Sequence, residues 1–318
     1  MIYNKRINET PISFIDFETT GLVKGYDRVI EVSVVRLEPG KEPTLVYDTL
    51  VNPNRRVSAT DIHGITDDDV ADAPDFREIA GDLVNAIKGS VVSSYNVYFD
   101  MPFLEHELSR SGINITPPHF CMMYMRPLLG IGSKCTLGEA CKNHGIDMEV
   151  CHIASADVLS TANLFKAYSE SFLSKNIKTF GDLTYQKKNY KFFTSFDYEP
   201  LSSADELGLM AFGKTKSRSV DLASKMEKAQ ERKPISFYWD LLKTVVADLV
   251  ITDDELEMVN EEKKRLNLDI EQVRAIHAKI FAVVIAKFTD DDFLDAKERD
   301  KLQRLHKCLD ILGWAPGQ

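Results

Sequence analysis

Two carboxylates lie two residues apart in the stretch FIDFETTGL, which runs from Phe14 to Leu22. Asp16 and Glu18 stand in a run whose apolar residues otherwise predict a buried strand. Because side chains alternate along a strand, both acids face the same side. Like charges in a partly buried place repel each other and lose hydration. Two interpretations stay open for this stretch alone: a metal ion or basic side chain between the acids, or an exposed edge strand with two solvated acids.

Two further acids and a histidine stand near predicted helix starts. Asp100 ends the segment NVYFD, which follows the predicted strand Val91–Tyr95. Asp157 begins a long predicted helix, and His152 stands five residues before it. Taken alone, Asp100 is most simply an N-cap, and a lone histidine is most simply structural. The combination of these residues with the acid pair favours a common site.

The elements that would position these residues follow from hydrophobic periodicity. Alternating apolar residues predict three strands, which we expect to form an antiparallel meander: Ile12–Phe17, Val29–Leu37 and Leu45–Val51. Helical spacing predicts four later helices: Pro74–Ile87, Asp100–Ser111, Leu137–His144 and Ala156–Leu173. Strands first, followed by alternating strand and helix, predict an α/β domain over residues 9–177.

Composition limits the class of protein. The chain has 318 residues, enough for two domains, and 44% of them are hydrophobic. Five cysteines without a CxxC pair, and no apolar leader or membrane-spanning run, predict a reduced cytoplasmic protein with no membrane partner. The formal net charge of −10 argues against a broad nucleic-acid-binding surface. Residues 178–235 are the basic exception, with 11 basic and 8 acidic residues.

Four motifs occur in order along residues 9–175: FIDFETTGL, the IHGIT segment within Ala59–Val70, NVYFD and HIASAD. LGEACKNHGI (Leu137–Ile146) precedes the last of them. This set resembles the DEDDh group of 3′–5′ exonucleases, the DnaQ-like family of polymerase proofreading subunits. The resemblance implies a ribonuclease-H-like mixed sheet flanked by helices, followed here by a smaller all-α domain.

The resemblance also implies a chemistry. Four acids would hold two divalent cations, Mg²⁺ or Mn²⁺, because carboxylate oxygens are hard ligands: Asp16, Glu18, Asp100 and Asp157. His152 would take the proton from the attacking water. The reaction would hydrolyse the terminal phosphodiester of nucleic acid, DNA favoured, and release a nucleoside 5′-monophosphate. An RNA-trimming exoribonuclease and a catalytically idle nucleic-acid-binding scaffold are the alternatives, and the intact set of acids speaks against the second.

The same resemblance implies the residues that contact a single-stranded DNA or RNA 3′ end. They are Thr19, Thr20, Gly21, Leu22 and His63. For His63 a second interpretation is a loop residue that bonds its own backbone.

Basic and aromatic residues are mixed in the segment Thr184–Tyr198, within a predicted linker or extension over residues 178–235. These side chains could stack on and hold a single strand. A strand pair that packs its rings against a neighbouring element is the favoured interpretation.

The C-terminal region, residues 236–314, is predicted to be helical and internally repeated. Thr252 and Asp295, 43 residues apart, each precede a glutamate by three residues, the pattern of a capping box. The region is similar to the TerB-like helical domain, although Leu249 and Asp292 replace the glycines expected in its turns. We expect a module that binds a protein partner.

Overall fold

The structure is a computed structural model that describes residues 1–148, 153–185, 194–213, 222–246, 251–288 and 295–317. Within these ranges six strands form one sheet in the order β3-β2-β1-β4-β5-β6. The strands are β1 (Ile12–Thr19), β2 (Val29–Leu37), β3 (Thr44–Leu50), β4 (Val91–Ser94), β5 (His119–Cys121) and β6 (Thr194–Ser195). The first three strands pair antiparallel, as predicted. β4 and β5 continue the sheet in parallel, which confirms the mixed sheet of the predicted α/β class.

The central strand β1 is paired unequally on its two sides. β2 accompanies it from Ile12 to Thr19, whereas β4 pairs only with residues Ile12, Ser13 and Phe14. The carboxyl end of β1 is therefore open on the side of β4. This opening lies directly beside the residues that carry the acid pair.

Helices cover both faces of the sheet. They are α1 (Thr60–His63), α2 (Asp67–Val70), α3 (Phe76–Ile87), α4 (Val97–Arg110), α5 (Met125–Leu129), α6 (Leu137–Asn143), α7 (Ala154–Ser174) and α8 (Phe180–Tyr185). Phe14 of β1 points to one face and packs near Phe165 of α7. Ile15 and Phe17 point to the other face, where α3 and α4 lie. The two-residue alternation of β1 thus separates two apolar cores.

Much of the predicted linker packs on the sheet domain. The N–H of Ile7 donates to the carbonyl of Lys178 at 2.9 Å, so the N-terminus pairs with the start of this segment. Phe196 is buried against Phe180, with ring centroids 5.3 Å apart, as predicted for the aromatic residues, whereas Tyr198 is 45% exposed. The basic residues of that prediction lie outside the described residues: Lys187, Lys188 and Lys191.

The C-terminal region is helical, as predicted, and comprises α9 (Leu222–Val246), α10 (Asp253–Leu266), α11 (Ile270–Phe288) and α12 (Ala296–Ile311). Thr252 and Asp295 both form the predicted capping boxes. The helix α9 begins before Pro234, so the predicted boundary at residue 235 falls inside it. Strong helix formers before the proline explain the earlier start. The positions Leu249 and Asp292 lie outside the described residues.

None of the helices within the described ranges combines the length and the hydropathy that a membrane span requires.

Candidate functional site

The acid pair of β1 meets a third acid from α7. Asp16 and Glu18 share the face of Phe14, because their positions differ from it by two and four residues. The helix α7 packs across this face of β1 and β2 and carries Asp157 in its first turn. One carboxylate oxygen from each of Asp16, Glu18 and Asp157 lies within 4.8 Å of the others. Three carboxylates at this separation can share a cation.

Asp100 reaches the same place from the opposite face of the sheet. The helix α4 begins at Val97 and Asn96 is its N-cap, so Asp100 lies inside the first turn and does not cap the helix. Its Oδ1 accepts a 3.1 Å hydrogen bond from the N–H of Phe17. That N–H lies where β4 no longer pairs with β1. The open strand edge therefore fixes the Asp100 carboxylate beside Asp16.

The electrostatics of the four carboxylates are unfavourable. Burial, reinforced by the charges of Asp100, Asp157 and Glu18, raises the pKa of Asp16 well above its usual value. Burial also raises the pKa of Asp100 to about 6, against the opposing effects of Lys243 and the Phe17 N–H. Carboxylates that repel one another in this way are stabilised by added positive charge. A donor set made only of carboxylate oxygens fits Mg²⁺ or Mn²⁺ better than a soft metal.

The loop after β1 is organised around Asp27. One Asp27 oxygen accepts from the Thr20 hydroxyl at 3.0 Å, and the other accepts from the N–H of Val23 at 3.0 Å. Thr20 is buried, and its hydroxyl also accepts from the N–H of Arg28 at 3.1 Å. Thr20 is absent from the lining of the cavity beside the acids, whereas Thr19, Gly21 and Leu22 belong to it. The Thr20 side chain therefore organises the loop in this structure.

Gly21 is required by this loop for a steric reason. A Cβ atom at residue 21 would lie 2.4 Å from Oδ2 of Asp27, far inside van der Waals contact. The Asp27 carboxylate can approach the backbone only because a side chain is missing there.

His63 lines the cavity, yet both of its ring nitrogens bond to its own loop. Nδ1 accepts from the N–H of Ile65 at 3.1 Å, which leaves Nε2 to donate to the carbonyl of Ser58 at 3.0 Å. This is the second of the two interpretations considered for His63. In this structure the ring can offer a ligand its face rather than a nitrogen.

The C-terminal region supplies a wall of the same cavity. The sequence did not predict this contribution. Trp239, Asp240 and Lys243 of α9 line the cavity together with the four acids. No local pattern identifies these residues, because helical spacing reveals an apolar face but not the surface it will cover. His152, the proposed proton acceptor, lies outside the described residues.

Acids at the carboxyl end of a central strand, joined by acids from helices on both faces of a mixed sheet, define a ribonuclease-H-like nuclease fold. A family model described as an exonuclease matches residues 13–165. The chain is also 30% identical over 200 residues to the "DNA polymerase III subunit epsilon" of Buchnera aphidicola, covering 57% of this chain and 86% of that protein. The chain belongs to this family, the DEDDh-type 3′–5′ exonucleases.

Other relatives are much longer than the region they share with this chain. The "DNA polymerase III subunit epsilon-like protein" of Rhodobacter capsulatus is 31% identical over 185 residues, covering 54% of this chain and 26% of that protein. The "3'-5' exonuclease DinG" of Staphylococcus saprophyticus is 27% identical over 182 residues, covering 56% of this chain and 20% of that protein. The chain therefore spans about a quarter or less of the length of these two proteins.

Proposed function

We propose that the protein is a metal-dependent 3′–5′ exonuclease that hydrolyses the terminal phosphodiester of nucleic acid and releases nucleoside 5′-monophosphates. The observation that carries the proposal is the approach of Asp16, Glu18 and Asp157 to within 4.8 Å, with Asp100 lining the same cavity. Structural ion-pair networks also collect acids, but they include matching cations. Here Lys243 is the one lysine or arginine that lines the cavity within the described part of the chain.

In this proposal the four acids hold two Mg²⁺ or Mn²⁺ ions: Asp16, Glu18, Asp100 and Asp157. When bound, the ions supply activation of water and stabilise the charge that develops on the leaving 3′-oxygen. The chain contributes fixed positions for these acids. The strand β1 sets Asp16 and Glu18 on one face, and the Phe17 N–H holds Asp100 in its orientation.

His152 is the proposed acceptor of the proton from the attacking water. Its support is its place in the sequence, five residues before Asp157.

The 3′-terminal nucleotide is proposed to lie on the loop after β1. Thr19, Gly21 and Leu22 line the cavity beside the acids and would contact it, and the face of the His63 ring would meet its base or sugar. Thr20 would act through the loop, since its hydroxyl is bonded to Asp27. DNA is the favoured substrate because two of the relatives are named as DNA polymerase III subunits or subunit-like proteins. RNA is the alternative substrate.

Degradation of 5′-labelled single-stranded DNA and RNA oligomers tests this proposal. Wild-type protein in Mg²⁺ or Mn²⁺ should give a ladder of products shortened from the 3′ end, and EDTA should abolish it. Asp16→Asn should be inactive, whereas the exposed Asp205→Asn, which removes an equal charge, should retain wild-type activity. If folded, metal-loaded wild-type protein cleaves neither oligomer, the proposal is wrong.

A protein partner for the C-terminal helices is a further part of the proposal. The family match ends at residue 165, so the similarity of α10, α11 and α12 to the TerB-like domain remains a prediction. Purification of the tagged full-length chain beside one carrying charge reversals on exposed residues of α10 tests it. A partner retained by both proteins would not bind through that helix.

A further inference from the structure

The helix α9 covers the loops that are proposed to receive the substrate. Trp239 is 3% exposed and belongs to one apolar cluster with Ile62 of α1. Leu22, from the loop after β1, packs against the same cluster. Ile62 is buried and Leu22 is half-buried, and both pack in the apolar cluster that contains the α9 side chains. A nucleotide on the buried side of Leu22 would compete with α9.

Lys243 of α9 places a positive charge among the acids. Its Nζ lies 3.1 Å from Asp240 and 5.4 Å from the centroid of the Phe99 ring. Phe99 is adjacent in sequence to Asp100, and the Lys243 charge acts on both Asp16 and Asp100. Lys243 lines the cavity together with Asp16, Glu18, Asp100 and Asp157, so its side chain lies at the site that the carboxylates form.

The covered cavity is too small for the proposed substrate. Its volume is about 100 Å³. Pockets that take small organic ligands usually measure about 300–1,000 Å³. A nucleotide and two cations do not fit in this space while α9 stays in place.

We propose that α9 is an autoinhibitory cover, in which the Lys243 ammonium substitutes for a bound cation and the Trp239 side chain fills the nucleotide pocket. The inference rests on the proposed function, because that function identifies the species that α9 excludes as a nucleic acid and divalent cations. Divalent cations displace the ammonium, and the 3′ end of a nucleic acid displaces α9. In the alternative, α9 stays fixed and Lys243 contacts the substrate phosphate. This arrangement would need more space than the cavity provides.

An ion pair between Lys134 and Glu255 helps to hold the cover closed. Lys134 precedes α6 in the sheet domain and Glu255 lies in α10; their charged atoms are 3.2 Å apart, and both side chains are largely buried. A pair of this kind joins the helical region to the sheet domain outside the cavity. Its loss should favour the open state without changing any residue of the site.

Manganese binding tests the role of Lys243 without any nucleic acid. Lys243→Met keeps the length of the side chain and removes its charge, so the apparent affinity for Mn²⁺, titrated by electron paramagnetic resonance, should rise about tenfold. Lys264→Met removes an equal charge from an exposed site on α10 and should leave the affinity unchanged. Equal affinities in wild type and Lys243→Met would overturn the substitution of the ammonium for a cation.

Fluorescence of Trp239 tests the movement of α9. The chain has two tryptophans, so Trp314→Phe isolates the signal of Trp239. Binding of an oligonucleotide with a cleavage-resistant phosphorothioate 3′ end, in Mn²⁺, should shift the emission to longer wavelength and raise acrylamide quenching roughly threefold. Lys134→Met should raise the quenching before any ligand is added.

The two experiments separate this inference from the proposed function. If the oligonucleotide binds at the acids while Trp239 stays protected, α9 is a fixed wall and the cover is disproved, although the exonuclease proposal stands. If the protein proves not to be a nuclease, the manganese titration still decides whether Lys243 competes with a cation.

Discussion

The backbone N–H of Phe17 donates a 3.1 Å hydrogen bond to Oδ1 of Asp100, across 83 residues of sequence. This bond joins the open edge of β1 to the first turn of α4 and so holds the fourth carboxylate beside Asp16. It uses a backbone donor that β4 leaves without a strand partner. Since a buried N–H costs free energy when it lacks an acceptor, Asp100 serves the fold as well as the site.

Two substitutions separate these roles of Asp100. Asp100→Asn keeps an acceptor for the Phe17 N–H but loses the charge, so cleavage should fall by on the order of 100-fold or more. Asp100→Ala should lose as much activity and should also be less stable than the asparagine variant by about 1–3 kcal/mol. Urea unfolding in EDTA measures the difference. Equal stability of the two variants would show that the Phe17 bond contributes nothing.

The stability of the metal-free protein should depend on pH through the raised pKa values of Asp16 and Asp100. The folded protein then holds protons that the unfolded chain releases, so the free energy of unfolding falls as pH rises from the usual aspartate pKa of 3.8 to about 6 for Asp100. Above that range the free energy of unfolding is lowered by the full amount. The double variant Asp16→Asn/Asp100→Asn should be more stable than wild type at pH 7.5, by about 3 kcal/mol, with a smaller gain at pH 5.

Urea unfolding at both pH values, with EDTA and with Mg²⁺, checks this dependence. Mg²⁺ should stabilise wild type at pH 7.5 much more than the double variant, because the double variant keeps only Glu18 and Asp157 of the four acids. A gain that is the same at both pH values would contradict the raised pKa values.

Gly21→Ala should destabilise the loop after β1 by about 1–3 kcal/mol, because the new Cβ would overlap the Asp27 carboxylate. A double-mutant cycle isolates this cause. In the Asp27→Ala background, which removes the overlapping oxygens, Gly21→Ala should cost much less. Equal costs in both backgrounds, measured by thermal unfolding, would exclude the clash as the cause.

His63→Ala should reduce the free energy of unfolding by about 1–3 kcal/mol, since the buried Ile65 N–H loses its acceptor. The loss should be the same with and without Mg²⁺, because the bonds lie within one loop. Chemical unfolding tests stability, and the KM for an oligonucleotide tests the substrate contact. Unchanged stability with a raised KM would favour the substrate role of His63 over its loop role.

Thr252→Ala should cost about 1 kcal/mol, because the Thr252 hydroxyl caps α10 by accepting from the N–H of Glu255 at 3.2 Å. Thr252→Ser keeps the hydroxyl and serves as the control. Thermal unfolding of the full chain should rank alanine below serine. If both variants unfold alike, the cap contributes no stability.

Much of the sheet domain could be predicted because its elements are long and periodic. The prediction for β2 matches the structure at both ends, and the long helix with Asp157 was placed within two residues of its observed start at Ala154. β5 has three residues, too few for a period to show, and was missed, whereas the two-residue β6 lies in the segment Thr184–Tyr198 that was favoured as a strand pair. Short strands of this kind depend on their neighbours in the sheet rather than on their own residues.

The residues of the site divide in the same way, into those that a local motif predicts and those that depend on contacts distant in sequence. Asp16, Glu18, Asp100 and Asp157 could be named together because each belongs to a local motif. The cover by α9 could not, because Lys243 lines the cavity with these acids only through the docking of a separate helical region. The hydrogen bond from Thr20 to Asp27 could have been suspected, because the aspartate stands only seven residues later. Sequence alone, however, does not tell which way a loop hydroxyl turns.

The most direct test of the metal centre is a crystal structure with Mn²⁺ and a nucleoside 5′-monophosphate, with anomalous diffraction recorded at the manganese edge. Two anomalous peaks are expected among Asp16, Glu18, Asp100 and Asp157, with the nucleotide phosphate beside them and Lys243 displaced. No peak among these four carboxylates at saturating manganese, or manganese bound only elsewhere on the chain, would contradict the proposed two-metal site.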